Sequence, residues 1–430
     1  MAPFCDRDYL QALLDVEVAL AAAAAASGVI PASCVGDIRA AARADRYEIA
    51  ALESDARTDG NIVIPLVRKL TEAVAARNPE SARYVHRGAT SQDIIDTAQV
   101  LRIGAESAAL RESLTGIMSG CAALAREHAV TPMPGRTWLQ HASPTTFGLK
   151  AAGWLDMIGR CRARVRDAAE RSQVLQLGGA SGTLASLGDV GPAVAEAMAK
   201  ELGLTVPVMP WHTHRDRVAD VASAFGICSG ALGKIGRDLT LLAQSEVGEA
   251  FESKGSGGSS SMPHKQNPVH AVTAVAGAIR TPGLVATMLA AMPQEHERAA
   301  GGWQAEWPTM AELIAATRES ADAIGVAIGN LRIDPSAMRR NLEVRGGVAL
   351  AEALSSALMA HVSRSEAMKY VEGLCRIAER EGGSLREMAA RDPEITQWLP
   401  PAEIDRVLAP ENFLGGAKAF VERVLTLWAV

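Results

Sequence analysis

Residues 213–249 read THRDRVADVASAFGICSGALGKIGRDLTLLAQSEVGE. Val218, Val221, Phe225, Cys228, Leu232, Ile235, Leu239 and Leu242 recur there at alternating steps of three and four. That spacing makes a seam along which long helices lie together at a shallow angle. Thr213 with Asp216 three residues later predicts a capping box at the helix start. Leu110, Leu114, Ile117, Cys121 and Leu124 repeat the pattern with steps of four, three, four and three. Two such seams predict an all-α protein built around a central bundle of long helices. Ala219, Ala222, Gly226, Ser229, Gly230, Gly233 and Gly236 also lie in the first segment. Each interior glycine costs about 1 kcal/mol against alanine, so so many imply close approach by other helices. A helix buried inside an oligomer and tight packing within one chain both explain this, and the oligomer is the preferred reading.

Working outward, Ala, Leu, Arg and Glu dominate nearly the whole chain and favour helix. Ile62-Val63-Ile64 is the clearest strand-like run, cut short by Pro65. Helical texture breaks at Q-L-G-G-A-S-G-T (176–183) and at K-G-S-G-G-S-S-S (254–261), which is followed by M-P-H-K-Q-N-P. Three domains are expected: an N-terminal helical domain over 1–105, the long-helix bundle over 106–345, and a small C-terminal helical domain over 346–430.

Composition bounds the function. The chain has 430 residues, 43 basic and 49 acidic, for a net charge of −6. That length exceeds one compact core. With 48% hydrophobic and 21% charged residues the chain is not disordered. A mildly acidic chain without a Lys/Arg run is a poor nucleic-acid binder. It can still hold an anionic small molecule in a locally basic pocket. The six cysteines are scattered without a C-x-x-C pair, as expected of reduced thiols in a cytoplasmic protein. The apolar stretch 18–26 follows Asp6, Asp8, Asp15 and Glu17, the wrong charge for a secretory signal, and predicts an Ala-rich helix. Other uncharged stretches are interrupted by Pro, Gly or polar residues, so no membrane partner is expected.

Several motif readings fail on spacing. The Gly/Ser loop lacks G-x-x-x-x-G-K-[ST], and 176–183 lacks G-x-G-x-x-G. His212-x-His214 has no second ligand pair, and His296-Glu297 is followed by Ala300 where H-E-x-x-H needs His, so no metal is expected. What remains is chemistry for anions. Lys265, Asn267 and Pro263 follow the serines of a loop suited to closing over an anion, with backbone N–H groups beside a serine hydroxyl. His86, in H-R-G-A-T-S-Q-D, and His141, in G-R-T-W-L-Q-H-A, sit among the short donors Thr90, Ser91, Thr137 and Gln140.

G-S-S-S-M-P-H-K-Q-N-P (258–268) resembles the G-S-S-x-x-P-x-K-x-N signature of the fumarase/aspartase superfamily. H-R-G-A-T-S-Q-D-I-I-D-T, G-R-T-W-L-Q-H-A-S-P-T-T-F-G and L-G-G-A-S-G-T-L-A agree with it in order along nearly the whole chain. Among its branches, the blocks P-W-H-T-H-R-D-R and Q-E-H-E-R-A-A-G-G-W-Q-A-E-W are similar to bacterial cycloisomerases of a muconate tricarboxylate. The resemblance implies a three-domain fold and a homotetramer with a twenty-helix core and active sites shared between subunits. It implies a cofactor-independent reaction in which a substrate carboxylate adds to a double bond and closes a lactone. It casts Ser259 as the proton-transfer residue, with Ser260 as runner-up. Lys265 and Asn267 would bind one carboxylate, and Thr90, Ser91, Thr137 and Gln140 another. His86, His141 and Arg215 would complete the anion pocket, with Glu297 an orienting partner. The superfamily usually has His directly after the Thr of G-R-T. Here that residue is Trp138, and His141 is the available substitute. The alternatives are a fumarate-releasing lyase of the same superfamily and a non-catalytic relative.

Overall fold

A computed structural model describes residues 6–253, 258, 261–262 and 265–429. In chain order the elements used below are α1 (Arg7–Ala26), α2 (Val63–Ala75), α3 (Ser91–Glu127), the strands β1 (Pro132–Thr137) and β2 (Gln140–Thr146), α4 (Phe147–Ser172), α5 (Asp216–Leu242), β3 (Ala250–Glu252), α6 (Val269–Ala290), α7 (Gly302–Gly329) and β4 (Leu331–Ile333). The rest is shorter helix, including six α-helices after residue 350. The all-α expectation holds, with two small antiparallel β-pairs added.

The chain divides into two compact units. The first comprises 1–111, 163–228 and 280–318; the second comprises 112–162, 229–279 and 319–430. In the first unit α1 packs against the Gly191–Leu202 helix, and Leu10, Leu13, Leu14 and Leu20 are fully buried. The Ala-rich helix read from 18–26 is thus a core element. In the second, Leu354, Leu358, Ala367, Val371, Leu374, Leu385, Ile395 and Ile404 gather into a separate cluster near the C-terminus. Its helices begin at the capping boxes Ser363/Glu366 and Ser384/Glu387.

The seam of α5 is buried at all eight of these positions, from Val218 to Leu242. Its glycines face α6. A methyl built on Gly226 would lie 2.4 Å from Val285, and one on Gly233 would lie 2.2 Å from the Ala278 methyl. Gly230 has nothing within 4 Å. Within one chain, therefore, close approach comes from one neighbour. On α6 itself Val269, Val272, Ile279 and Leu289 stand exposed, and Ile227 of α5 does too.

Four sequence expectations need correction. Ile62-Val63-Ile64 is not a strand but the start of α2. Asn61 Oδ1 accepts the Val63 and Ile64 N–H groups at 3.0 and 3.3 Å, and Pro65 sits in the first turn, where it is tolerated. Val63, Leu66, Leu70 and Val74 then form one buried face. The Thr213 capping box does not form, because Thr213 Oγ1 donates to the His296 carbonyl at 3.0 Å. The uncharged stretches are not all interrupted: α1, α5 and α6 are each long and apolar enough, by length and composition alone, to cross a membrane. Pro282 and Gly283 sit inside α6 without ending it. Finally, 132–146 is a hairpin. Its two-residue turn, Trp138-Leu139, has φ of 52° and 63°, the left-handed geometry that suits the strand twist. No Asn or Gly announces that turn.

Candidate active site

In the first unit, the site residues are arranged around Asp93, in the first turn of α3. Asp93 Oδ2 accepts the Thr90 N–H at 2.9 Å, and Asp93 itself donates its N–H to the Thr90 carbonyl at 3.0 Å. Its carboxylate also accepts the N–H groups of Gly178 and Gly179, both at 2.9 Å, and contacts His212 Nε2 at 2.7 Å. The Gly-rich 177–183 segment is thereby tied to the His86–Ser91 turn. Gly179 has φ of 69°, a conformation that glycine adopts without penalty. Gln176 extends the tie: its N–H and carbonyl both bond Thr97 Oγ1, at 3.1 and 2.9 Å, and its Oε1 accepts the Trp211 N–H at 2.8 Å.

One helical turn further, Asp96 organises a second cluster. Arg215 donates to Asp96 at 2.8 and 3.1 Å and to Glu306 at 3.0, 3.2 and 2.5 Å. Trp303 Nε1 donates to Asp96 at 3.0 Å, and Gln294 to Glu306 at 2.9 Å. All three charged residues are at most 2% exposed. Burial pushes the Glu306 carboxyl above its ordinary range, although Arg215 opposes it. Burial acts against the Arg215 cation, yet Asp96 and Glu306 hold it more firmly protonated than usual. Arg215, expected in the anion pocket, therefore has its guanidinium engaged by the protein's own carboxylates. Trp303 is likewise part of the scaffold, edge-on to Trp307 at 4.6 Å.

His86, another of the expected residues, lies in the turn before α3. Its φ is 57°, and its Nδ1 lies 2.6 Å from Glu17 Oε1. Thr90 and Ser91 are half-buried at the N-terminal end of α3. Arg298 crosses to this region, donating to Gln92 Oε1 at 3.0 Å and to the Ala180 carbonyl at 2.9 Å. Glu297 beside it is exposed and bonds no described residue.

The remaining predicted residues lie in the second unit. Thr137, Gln140 and His141 are exposed on the hairpin, and Trp138 at its tip is 98% exposed. Below them Arg136 makes a two-pronged pair with the fully buried Glu249 at 2.9 and 2.6 Å, joined by Asn341 at 2.7 Å. Partial burial and then the Arg136 cation hold the His141 pKa below its ordinary 6.5, so the ring is neutral near pH 7. Burial likewise pulls Lys150 below its usual value. Lys265 is exposed and Asn267 half-buried just before α6. Glu252, at the end of β3, accepts the Ala271 N–H at 2.9 Å and so caps α6. Ser259 and Ser260 lie outside the described residues. The structure thus brings His86, Thr90 and Ser91 together in one unit and Thr137, Gln140 and His141 together in the other.

Asp93, Asp96, Glu306, Gln176 and Glu17 were not singled out as functional from the sequence. The signal was present in S-Q-D-I-I-D-T, where two acids one turn apart flank two isoleucines, a pattern that buries charge along with the apolar face.

The lyase family matches residues 1–283, and the adenylosuccinate lyase C-terminus matches residues 347–424. The chain is 48% identical to a 3-carboxy-cis,cis-muconate cycloisomerase of Pseudomonas aeruginosa over 99% of this chain and 93% of that protein. It superposes on the 3-carboxy-cis,cis-muconate lactonizing enzyme of Pseudomonas putida with a TM-score of 0.95 and 43% identity, covering 99% of this chain and 96% of that one. A fumarate lyase from Mesorhizobium gives 0.91 at 37% identity, over 98% and 96% of the two chains. With the signature at 258–268 and the three ordered blocks before it, these matches establish that the chain belongs to the lyase family of the fumarase/aspartase superfamily, a family of enzymes.

Proposed function

We propose that this enzyme is a 3-carboxy-cis,cis-muconate cycloisomerase of the protocatechuate branch of the β-ketoadipate pathway. The observation that carries the reading is the 48% identity to such an enzyme along 99% of the chain. One substrate carboxylate oxygen forms a bond to an alkene carbon of the same molecule. The alkene electron pair moves to the neighbouring carbon, α to another carboxylate, and that carbon takes a proton. Attack is intramolecular, so holding the substrate's conformation lowers the barrier. The transient extra charge on an already anionic group is met by fixed donors.

In this reading Ser259 transfers the proton, with Ser260 as runner-up. Lys265 and Asn267 hold one carboxylate, while His86, Thr90 and Ser91 hold another from the start of α3. Thr137, Gln140 and the neutral His141 serve from the hairpin, and Glu297 orients. Arg215, expected to complete the pocket, stands at its edge with its guanidinium paired to Asp96 and Glu306. The assembly is a homotetramer with shared sites. The exposed Val272, Ile279 and Leu289 of α6 support burial against further copies. The place of action is the cytoplasm, in keeping with Cys34, Cys121, Cys161, Cys228 and Cys375, none of which forms a disulfide.

The test is loss of the conjugated diene absorbance of 3-carboxy-cis,cis-muconate, with Ser259→Ala alongside. The variant is expected to retain helicity and tetramer while turnover falls by at least about a hundredfold, the scale of removing one key transition-state group. Near-normal turnover would remove Ser259 from the mechanism. The likeness to a fumarate lyase favours a second reading, elimination with release of fumarate. Fumarate formed from adenylosuccinate or argininosuccinate, without diene loss, would select it.

A further inference from the structure

Helix α1 is apolar along most of its length, yet it carries Glu17 into the interior, 2% exposed. Glu17 Oε1 meets His86 Nδ1 at 2.6 Å, while Oε2 is buried with no hydrogen-bond partner. A buried carboxylate with an unsatisfied oxygen is costly and calls for a reason. Its partner is unusual as well. His86 holds a left-handed backbone, φ 57°, in a turn with Gly88 at φ 90°. For a non-glycine residue that conformation is strained, and such residues concentrate at functional sites. The His86 side chain is 20% exposed, and its Nε2 bonds no described residue.

We propose that Glu17 is a positioning residue for His86: its carboxylate fixes the ring through Nδ1 and favours the form whose Nε2–H is presented to a carboxylate of the anionic substrate. This deepens the function proposed above and rests on it for the identity of the anion. A neutral imidazole would offer Nε2 as a lone pair once Nδ1 carried the proton, and a lone pair repels a carboxylate. The buried anion on α1 reverses that. Burial by itself pushes the His86 pKa down. The charge and hydrogen bond of Glu17 outweigh it, with a smaller contribution from Asp93, and leave it above the ordinary 6.5. Those two acids, from α1 and α3, are the charged groups acting on the ring, and Asp93 is already engaged by His212 at 2.7 Å.

Glu17→Gln separates charge from orientation, since the amide oxygen still accepts from Nδ1–H. The experiment is a pH titration of histidine-labelled protein by NMR, with the His86 signal assigned by its loss in His86→Gln. In the wild type His86 is expected to titrate above 6.5, and in Glu17→Gln at least about one unit lower. For 3-carboxy-cis,cis-muconate, the KM of Glu17→Gln is expected to rise about tenfold at pH 8 and approach the wild type near pH 5.5, with kcat little changed. An unshifted His86 titration in Glu17→Gln overturns the proposal. So does a wild-type value below 6.5, which does not depend on Glu17→Gln folding. A shifted titration with an unchanged KM at pH 8 overturns the presentation of Nε2–H to the substrate. If the titration shifts but the wild type does not consume the muconate, the substrate reading fails and the Glu17 control of His86 stands.

Discussion

Arg215→Met tests whether the buried cluster of Asp96, Arg215 and Glu306 is scaffold or binding site. The wild-type cluster carries one positive and two negative charges, all at most 2% exposed, joined by five N–H to oxygen contacts of 2.5–3.2 Å. Methionine keeps much of the volume and removes the cation, which leaves two carboxylates in the interior. Removing one partner from a buried pair costs about 3–5 kcal/mol, because the remaining charge is uncompensated. The loss is expected to depend on pH. Without Arg215, burial and mutual repulsion raise both carboxyl pKa values above their unfolded values, so the folded variant binds protons that the unfolded chain releases. That stabilisation is fully present below the unfolded values and is lost as pH rises through the raised folded ones. The deficit against wild type is therefore smallest near pH 5 and largest near pH 8. Urea unfolding followed by circular dichroism at both pH values measures it, and steady-state kinetics are run in parallel. A pH-independent deficit under about 1 kcal/mol, far below the buried-pair scale, together with a large rise in KM, would refute the reasoning. It would return Arg215 to the substrate.

Two further perturbations follow from the geometry. A methyl on Gly236 would sit 2.5 Å from the Ala271 carbonyl oxygen, which as backbone cannot rotate away. Gly236→Ala should thus lose about 1–3 kcal/mol, whereas Gly230→Ala, with nothing within 4 Å, should gain up to about 1 kcal/mol from helix propensity. Thermal unfolding of the two variants reads the difference, and a loss at Gly230 would mean that a second copy packs there. Asp93→Asn replaces an acceptor carboxylate that serves Gly178, Gly179, Thr90 and His212 with a group having a single acceptor oxygen. Amide hydrogen exchange at Gly178 and Gly179 should accelerate at least about tenfold, as expected for loss of about 1.5–3 kcal/mol of charged hydrogen bonding, with α5 unchanged; equal rates would show that Asp93 does not hold that segment.

The fold was legible because its signals are periodic. The alternating steps of α5 recur over eight positions, and no other structure buries that set on one side. The hairpin was not, because its turn is made by Trp138 and Leu139, whose left-handed φ values no residue preference announces. The Ile62-Val63-Ile64 run misled for a related reason. β-Branched residues favour strands weakly, and Asn61 with Pro65 supplied a stronger helix start.

For the candidate site, residue type was open to reading from the sequence and partnership was not. A sequence marks Arg215 and His86 alike as cations near an anion site, and it cannot say which of them the protein neutralises internally. The interior decides that. Arg215 meets two buried carboxylates, while His86 meets one through Nδ1 and its side chain stays 20% exposed. The acids that make the distinction lie 69 residues from His86, and 119 and 91 residues from Arg215. No local motif spans such distances. Counting buried acids against buried cations therefore separates scaffold from site. A cation matched twice is expected to be scaffold, and a cation matched once is the better candidate to bind an anion.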